Sequence, residues 1–269
     1  MLMLTHTWFL DRYLKDNHLR ADSHDIFIYN ILPDLLPIHG ETSVAITHGI
    51  DRTGPTPAQH WKTAFIRFHL IVDDMAHHGR ILAEAESGFD TTSRGYAYRK
   101  GRFLVDRIKA IYRGMNHDIS PADAMYYAHM IIESAFDIVL YRDQRESGLL
   151  EIFCDVIKST ASKSHEELYA TIQWLYGMDY ESIDHSFKEA REYRTLDKMR
   201  PFMTLEGRIP LYLQKLGMES LRHGHDIMKF LMEEGMELVE DYEEFVVEVQ
   251  KAIQTSNFPL SLKGFLDKS

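Results

Sequence analysis

The sequence predicts an all-α protein, a multi-helix bundle with helices of uneven length. Apolar residues recur at helical spacing nearly throughout, and strand-type alternation is scarce. The helical stretches are also punctuated by Pro, Gly and Ser at positions that start or stop helices. With 269 residues, 45% of them hydrophobic, the chain can bury a full core as one large domain or two modest ones.

The elements follow in order. THTWFLDRYLKDN places Trp8, Phe9, Leu10, Tyr13 and Leu14 on one broad helical face. FIYNILPDLLPIHG, apolar with two prolines, reads as a short buried helix ended by a turn. GIDRTGPTPAQ is a loop. Thr56 then offers an N-cap, with Pro57 at the first helical position. The helix so opened runs through Phe65, Phe68 and Val72 to about His78, where Gly79 serves as a stop, and RILAEAES is a place for it to resume. SPADAMYYAHMIIESAFDIVLYRDQ is a helix capped by Ser120 with Pro121 behind it. DQRESG then interrupts the apolar pattern. It sets a soft boundary between a metal-binding helical core over 1–142 and a C-terminal helical extension over 143–269, or marks a loop within one continuous domain. The stretch from Asp226 to Ile253 is helical, acidic and rich in methionine, which favours core packing.

Composition narrows the function. The formal charge of −11 opposes phosphate-backbone attraction, so there is no strong nucleic-acid signal. No apolar run approaches the ~20 residues needed to cross a bilayer. The first residues lack the basic and long apolar regions of a secretory leader, and Cys154 is the only cysteine. Both fit a cytoplasmic protein.

RFHLIVDDMAHHG, residues 67–79, raises the functional question. His69, Asp73 and His77 are spaced i, i+4, i+8 and project from one side of a helix. In YYAHMIIESAFDIVL, His129, Glu133 and Asp137 repeat the device among Ile131, Ile132 and Phe136. Imidazole nitrogen and carboxylate oxygen both suit zinc. Burying an unpaired carboxylate is costly, so an Arg or a metal ion is expected as its partner. A polar helix face toward water is the alternative. Upstream, His6 opens the first helix, Asp34 follows Pro33 inside an apolar segment, and His48 follows Thr47.

The ordered set His6, Pro33-Asp34, Thr47-His48, His69-x3-Asp73-x3-His77, His129-x3-Glu133-x3-Asp137 resembles the zinc-dependent phospholipase C family and its relatives, the single-strand-specific zinc nucleases. The resemblance covers residues 1 to about 140. It implies an all-helical domain with a buried metal cluster between helices, holding two zinc ions and up to a third. Asp34, His48, His69 and Asp73 would bind the first, and His77, His129 and Glu133 the second. Asp73 would bridge to a third ion also held by His6. Asp34 would alternatively act as the base toward the attacking water. Asp74 and Asp137 would stand behind ligand histidines. His78 competes with His77, and Met1 with its free amine is a further ligand candidate. The implied activity is hydrolysis of a small-molecule or lipid phosphodiester, like a phospholipase C or a nuclease.

Between the two ligand helices lies a basic run with Arg94, Arg99, Lys100, Arg102, Arg107, Lys109 and Arg113. Arg94, Arg99 or Arg102 could clamp a phosphate, and Tyr96 or Tyr98 could stack on a base or headgroup. The alternative reading is a solvated basic face that balances nearby acids. Two further functions stay open. One is a different metal hydrolase built on His-Asp dipeptides, of which His24-Asp25, His117-Asp118 and His225-Asp226 are examples. The other is a non-catalytic helical interaction protein with a structural or vestigial metal site, its partner surface being the acidic helix from Glu233 to Glu248. His60, His165 and His185 are expected at the surface, and His223 and His225 flank a helix break at Gly224. No interfacial helix is visible, although a lipid substrate calls for an apolar surface. Oligomeric state is not readable.

Overall fold

The computed structural model describes residues 2–20, 24–82, 91–163, 165–256, 258 and 267–268. Met1 and most of RILAEAES lie outside the described residues, as does the side chain of His165. Thirteen α-helices are present among the described residues. They are α1 (Met3–Asp16), α2 (Ile26–Leu35), α3 (Val44–His48), α4 (Thr63–His77), α5 (Tyr96–Gly114), α6 (Pro121–Asp143), α7 (Leu149–Lys163), α8 (His165–Tyr176), α9 (Tyr180–Tyr193), α10 (Leu196–Phe202), α11 (Leu205–Lys215), α12 (Gly224–Leu238) and α13 (Tyr242–Thr255). The one strand pairing among the described residues is a two-residue antiparallel contact of Leu19–Arg20 with Asp267–Lys268.

The all-α class is as expected, and several local expectations hold. Trp8, Phe9, Leu10, Tyr13 and Leu14 are all buried. The Ser120 hydroxyl accepts from the Asp123 N–H at 3.0 Å, capping α6 as its sequence predicts. Gly79 adopts φ +70° just past α4, and its N–H reaches back to the Asp74 carbonyl at 3.1 Å, which closes the helix. The expected start of α4 is wrong. Thr56 and Pro57 lead into a single 3-10 turn at Ala58–His60, and the α-helix begins at Thr63. The Thr56 hydroxyl accepts from Arg67 Nη1 at 2.7 Å, so it is used in a tertiary contact and not as a cap.

Helix packing positions the ligand helices. α2 lies against α4, and α5 lies along α6. The start of α5 meets the end of α4 at Gly95, where a Cβ would overlap the backbone of Ala76 and His77. The Ser93 hydroxyl donates to the His77 carbonyl at the same junction. The core crosses the Gln144–Gly148 interruption. Phe136 of α6 and Tyr96 of α5 both pack against Phe245 of α13, with ring centroids 6.0 and 4.6 Å apart. Burial of such a ring stabilises by about 1.5–3 kcal/mol. Met228 and Met232 of α12 are fully buried, the core role expected for that helix. His223 and His225 are exposed around Gly224, which opens α12.

Candidate metal centre

The site is built from the ends and middles of α1, α2, α3, α4 and α6. Pro33 sits inside α2, and its carbonyl has no helical partner because residue 37 is also proline and lacks an N–H. The Thr47 hydroxyl supplies the missing donor at 2.8 Å. That bond ties α3 to the end of α2 and brings His48 beside Asp34. His48 Nδ1 lies 3.2 Å from the Val44 carbonyl, which can only accept. Nδ1 therefore carries a proton, which turns Nε2 toward the carboxylates as the nitrogen that a metal ion would meet.

Asp34, His48, His69 and Asp73 converge, each offering a ligand-type atom within 4.8 Å of the others. His77, His129 and Glu133 form a second such group. These are the two sets expected from the sequence. His48 Nε2 is 3.1 Å from Asp73 Oδ2 and 3.5 Å from Asp34 Oδ1. His69 Nε2 is 3.7 Å from each of the same two carboxylates. His6 reaches the group as well. Its Nε2 lies 3.2 Å from Asp73 Oδ1, and its ring stacks on His69 at 3.5 Å between centroids. Asp73 thus stands between His6 on one oxygen and His48 on the other. In the second group His77 Nε2 is 2.7 Å from Glu133 Oε1, a hydrogen bond. His77, and not His78, belongs to this group.

Whether the first group suits an ion is decided by its buried nitrogens. His69 is fully buried, and neither ring nitrogen makes a hydrogen bond. The same holds for His6. Buried polar atoms are rarely left so. The separations of 3.1–3.7 Å within the group match the ~3.3–3.6 Å that ligand atoms keep around a tetrahedral zinc with ~2.0–2.2 Å bonds. The donor set, imidazoles with carboxylates, is also one zinc accepts. The residues fit a zinc ion.

Electrostatics separate the imidazoles. Burial disfavours charge on His48, but Asp34 and Asp73 outweigh it and push the ring up to about 10. His69, deeply buried and beside His6, is held well below its ordinary value. Burial likewise pushes His129 down to about 4. Burial alone would raise the Asp73 carboxyl, yet with the imidazoles of His48 and His6 against it the group lies well below the usual carboxylate range.

Several expectations around the site are corrected. Asp74 does not stand behind a histidine. Its two oxygens take Arg52 Nη2 at 2.9 Å and Nε at 3.1 Å, and Oδ2 also accepts from the Leu82 N–H. Asp137 accepts from the Thr5 hydroxyl at 2.6 Å and the Thr5 N–H at 3.1 Å, and pairs with Arg208 at 3.0 Å. It anchors the start of α1, next to His6, instead of a ligand ring. The basic run is mostly committed elsewhere. Arg99 pairs with Glu248 at 3.0 Å, Lys100 with Asp241, and Arg107 with Glu234 at 2.7 Å. Arg102 holds the carbonyls of Thr91 and Ser93. Tyr96 donates to Asp241, and Tyr98 stacks on His129 at 5.2 Å. The acidic stretch proposed as a partner surface is in part the counterpart of the chain's own α5. His60 is buried, stacked on Trp174 at 4.7 Å with Nδ1 3.0 Å from the Thr171 hydroxyl, while His185 is exposed as expected. His24, His117 and His225, from the three His-Asp dipeptides, are exposed.

Both groups open into one cavity of about 640 Å³. Asp34, His48, Asp73, His77, His129 and Glu133 are part of its lining. Its lysines and arginines among the described residues are Arg194, Arg208 and Lys215, which sequence reasoning did not single out. Among the apolar residues at its mouth, Ile38 and Val44 are 45% and 58% exposed, and Ile46 nearby is 51% exposed. No described helix is long and apolar enough to cross a membrane. No family model, curated protein or solved structure matches this chain.

Proposed function

We propose that the chain is a zinc-dependent hydrolase of phosphodiesters, of phospholipase C type, with one zinc held by Asp34, His48, His69 and Asp73 and a second by His77, His129 and Glu133. The observation that carries this reading is the pairing of two ligand groups, each within 4.8 Å, in the wall of one cavity. Zinc in such a place lowers the pKa of water toward ~7 and offsets phosphate charge. The protein's own part is positioning and proton handling. His48 is oriented by Val44, and Asp73 is clamped between His6 and His48. The Asp34 side chain is 22% exposed against 7% for Asp73, so Asp34 is the carboxylate that water reaches and the one placed to act as base. A third ion would fall to His6 and Asp73. The exposed Ile38, Val44 and Ile46 provide the apolar surface that a substrate with an acyl or other apolar group needs, and the charge of −11 disfavours a nucleic acid.

Metal content per chain, measured by elemental mass spectrometry on untreated protein, is the first test. Two or more zinc equivalents are expected, falling in Asp73→Ala. In Asp34→Asn, hydrolysis of bis(4-nitrophenyl) phosphate should drop about 100-fold or more. A folded, metal-free protein that takes up no zinc would refute the enzyme reading. The non-catalytic interaction protein would then lead.

A further inference from the structure

Among the described residues, the deeply placed guanidiniums are matched by oxygens, with one exception. Arg52 meets Asp74, Arg67 meets the Thr56 hydroxyl and the Asp51 carbonyl, and Arg208 meets Asp137 and the Phe202 carbonyl. Arg194, just past the end of α9, has no side-chain hydrogen bond and no ion pair among the described residues, and its Nε is buried without a partner. The charged side chain beside it is another cation, Arg208. A desolvated guanidinium without an anion is costly. Lys215, at the end of α11, likewise has no carboxylate within ion-pair distance among the described residues, and its Nζ lies 5.6 Å from the Tyr212 ring centroid. Both side chains line the cavity that holds the histidine and carboxylate groups. Arg208, in the same wall, is already neutralised by Asp137. The C-terminal half therefore presents to the cavity two cations that make no ion pair among the described residues, Lys215 feeling Glu133 only at a distance.

We infer that Arg194 and Lys215 form an oxyanion subsite that binds the non-bridging phosphoryl oxygens of the substrate, an inference that rests on the hydrolase reading for the identity of the anion. A guanidinium presents paired N–H donors at the spacing of two phosphoryl oxygens, whereas an ammonium adds a point charge. Arg194 would fix the orientation of the phosphoryl group, and Lys215, exposed at the rim, would add attraction. Both are positioning residues for the substrate and not ligands of the metal.

The test is calorimetric titration of the full-length, zinc-loaded protein with inorganic phosphate and with diethyl phosphate. It compares wild type with Arg194→Gln, Arg194→Lys and Lys215→Gln. Thermal melting and zinc content are measured on each. Arg194→Gln should weaken phosphate binding about tenfold or more, Arg194→Lys should recover part of it, and Lys215→Gln should cost about threefold to tenfold. Zinc content should not change. A loss confined to inorganic phosphate supports the subsite and assigns it to a dianionic group. A loss with diethyl phosphate as well assigns it to a diester. Affinities within twofold of wild type for both ligands in Arg194→Gln and Lys215→Gln overturn the inference, even if the zinc is present and the hydrolase reading stands. If the wild type holds no zinc but binds phosphate through Arg194, the hydrolase reading fails and the subsite survives. Should Arg194→Gln not fold, Lys215→Gln at the exposed rim decides alone.

Discussion

Asp73 and Asp74 are consecutive on α4 and both buried, yet they end in different regions of the molecule. Asp74 meets Arg52 through two hydrogen bonds, with a third from the Leu82 N–H. Asp73 meets the imidazoles of His6, His48 and His69. On α6 the same division recurs one turn apart. Asp137 is matched by Arg208 and Thr5, while Glu133 faces His77. In one region a fixed guanidinium neutralises the carboxylate. In the other the neighbours are groups that can give up a proton and offer a lone pair to a cation. The first arrangement is a structural anchor. The second is an arrangement that could hold a metal ion.

The largest expected effect breaks an anchor. Arg208→Met leaves Asp137 buried without its counter-charge and should cost roughly 3–5 kcal/mol. The double variant Arg208→Met with Asp137→Leu should recover much of that loss, because replacing a buried pair by apolar groups is often near neutral. Urea unfolding measures both. A single variant within 1 kcal/mol of wild type would mean that Asp137 is not the anchor its contacts describe.

Zinc gives the next effect and separates the two regions directly. Added to chelator-treated protein at about 100 times the dissociation constant, it should stabilise by about 2.7 kcal/mol per site. Asp73→Asn should abolish the response of the first group. Asp74→Asn should lower stability while leaving the response intact. Equal zinc responses in these two variants would erase the distinction between the regions.

The two metal groups should also be separable from each other. Glu133→Gln keeps the shape of the side chain but removes the carboxylate from the second group. Zinc content should fall by one equivalent, with the first group still loaded. Loss of all zinc in this variant would mean that the groups bind as a single cooperative unit.

Which parts were legible in the sequence follows from how local their causes are. His69–Asp73 and His129–Glu133 were readable because a helix turns an i, i+4 spacing into a shared face. Asp34 and His48 were readable only as members of an ordered set. What brings them together is a hydrogen bond from Thr47 to the Pro33 carbonyl, 14 residues away. The roles of Asp74 and Asp137 were misread because their partners lie 22 and 71 residues away and no periodicity announces them. Thr56-Pro57 has the composition of a cap, but the chain uses the Thr56 hydroxyl for Arg67 and delays the helix to Thr63. Arg194 and Lys215 carried no motif at all. Only the packing of the C-terminal helices beside α6 puts them in the cavity.

The smallest effect concerns the basic face of α5. Its ion pairs with α12 and α13 are exposed, at 43% and 38% for the side chains of Arg99 and Glu248. Exposed pairs contribute little, because water screens them and two long side chains lose freedom in making them. Arg99→Ala should therefore change stability by no more than about 0.5 kcal/mol, and Arg107→Ala by a similar amount. Neither side chain lines the cavity, so hydrolysis of bis(4-nitrophenyl) phosphate should stay within about twofold of wild type in the double variant. The basic run is the part of the sequence most readily taken for a phosphate clamp, which makes this small effect informative. A tenfold loss of hydrolysis with zinc retained would move the substrate onto α5 and take it away from Arg194. Unchanged hydrolysis leaves the run as the acidic helices' counterpart and the cavity's own cations as the place to look for the phosphate.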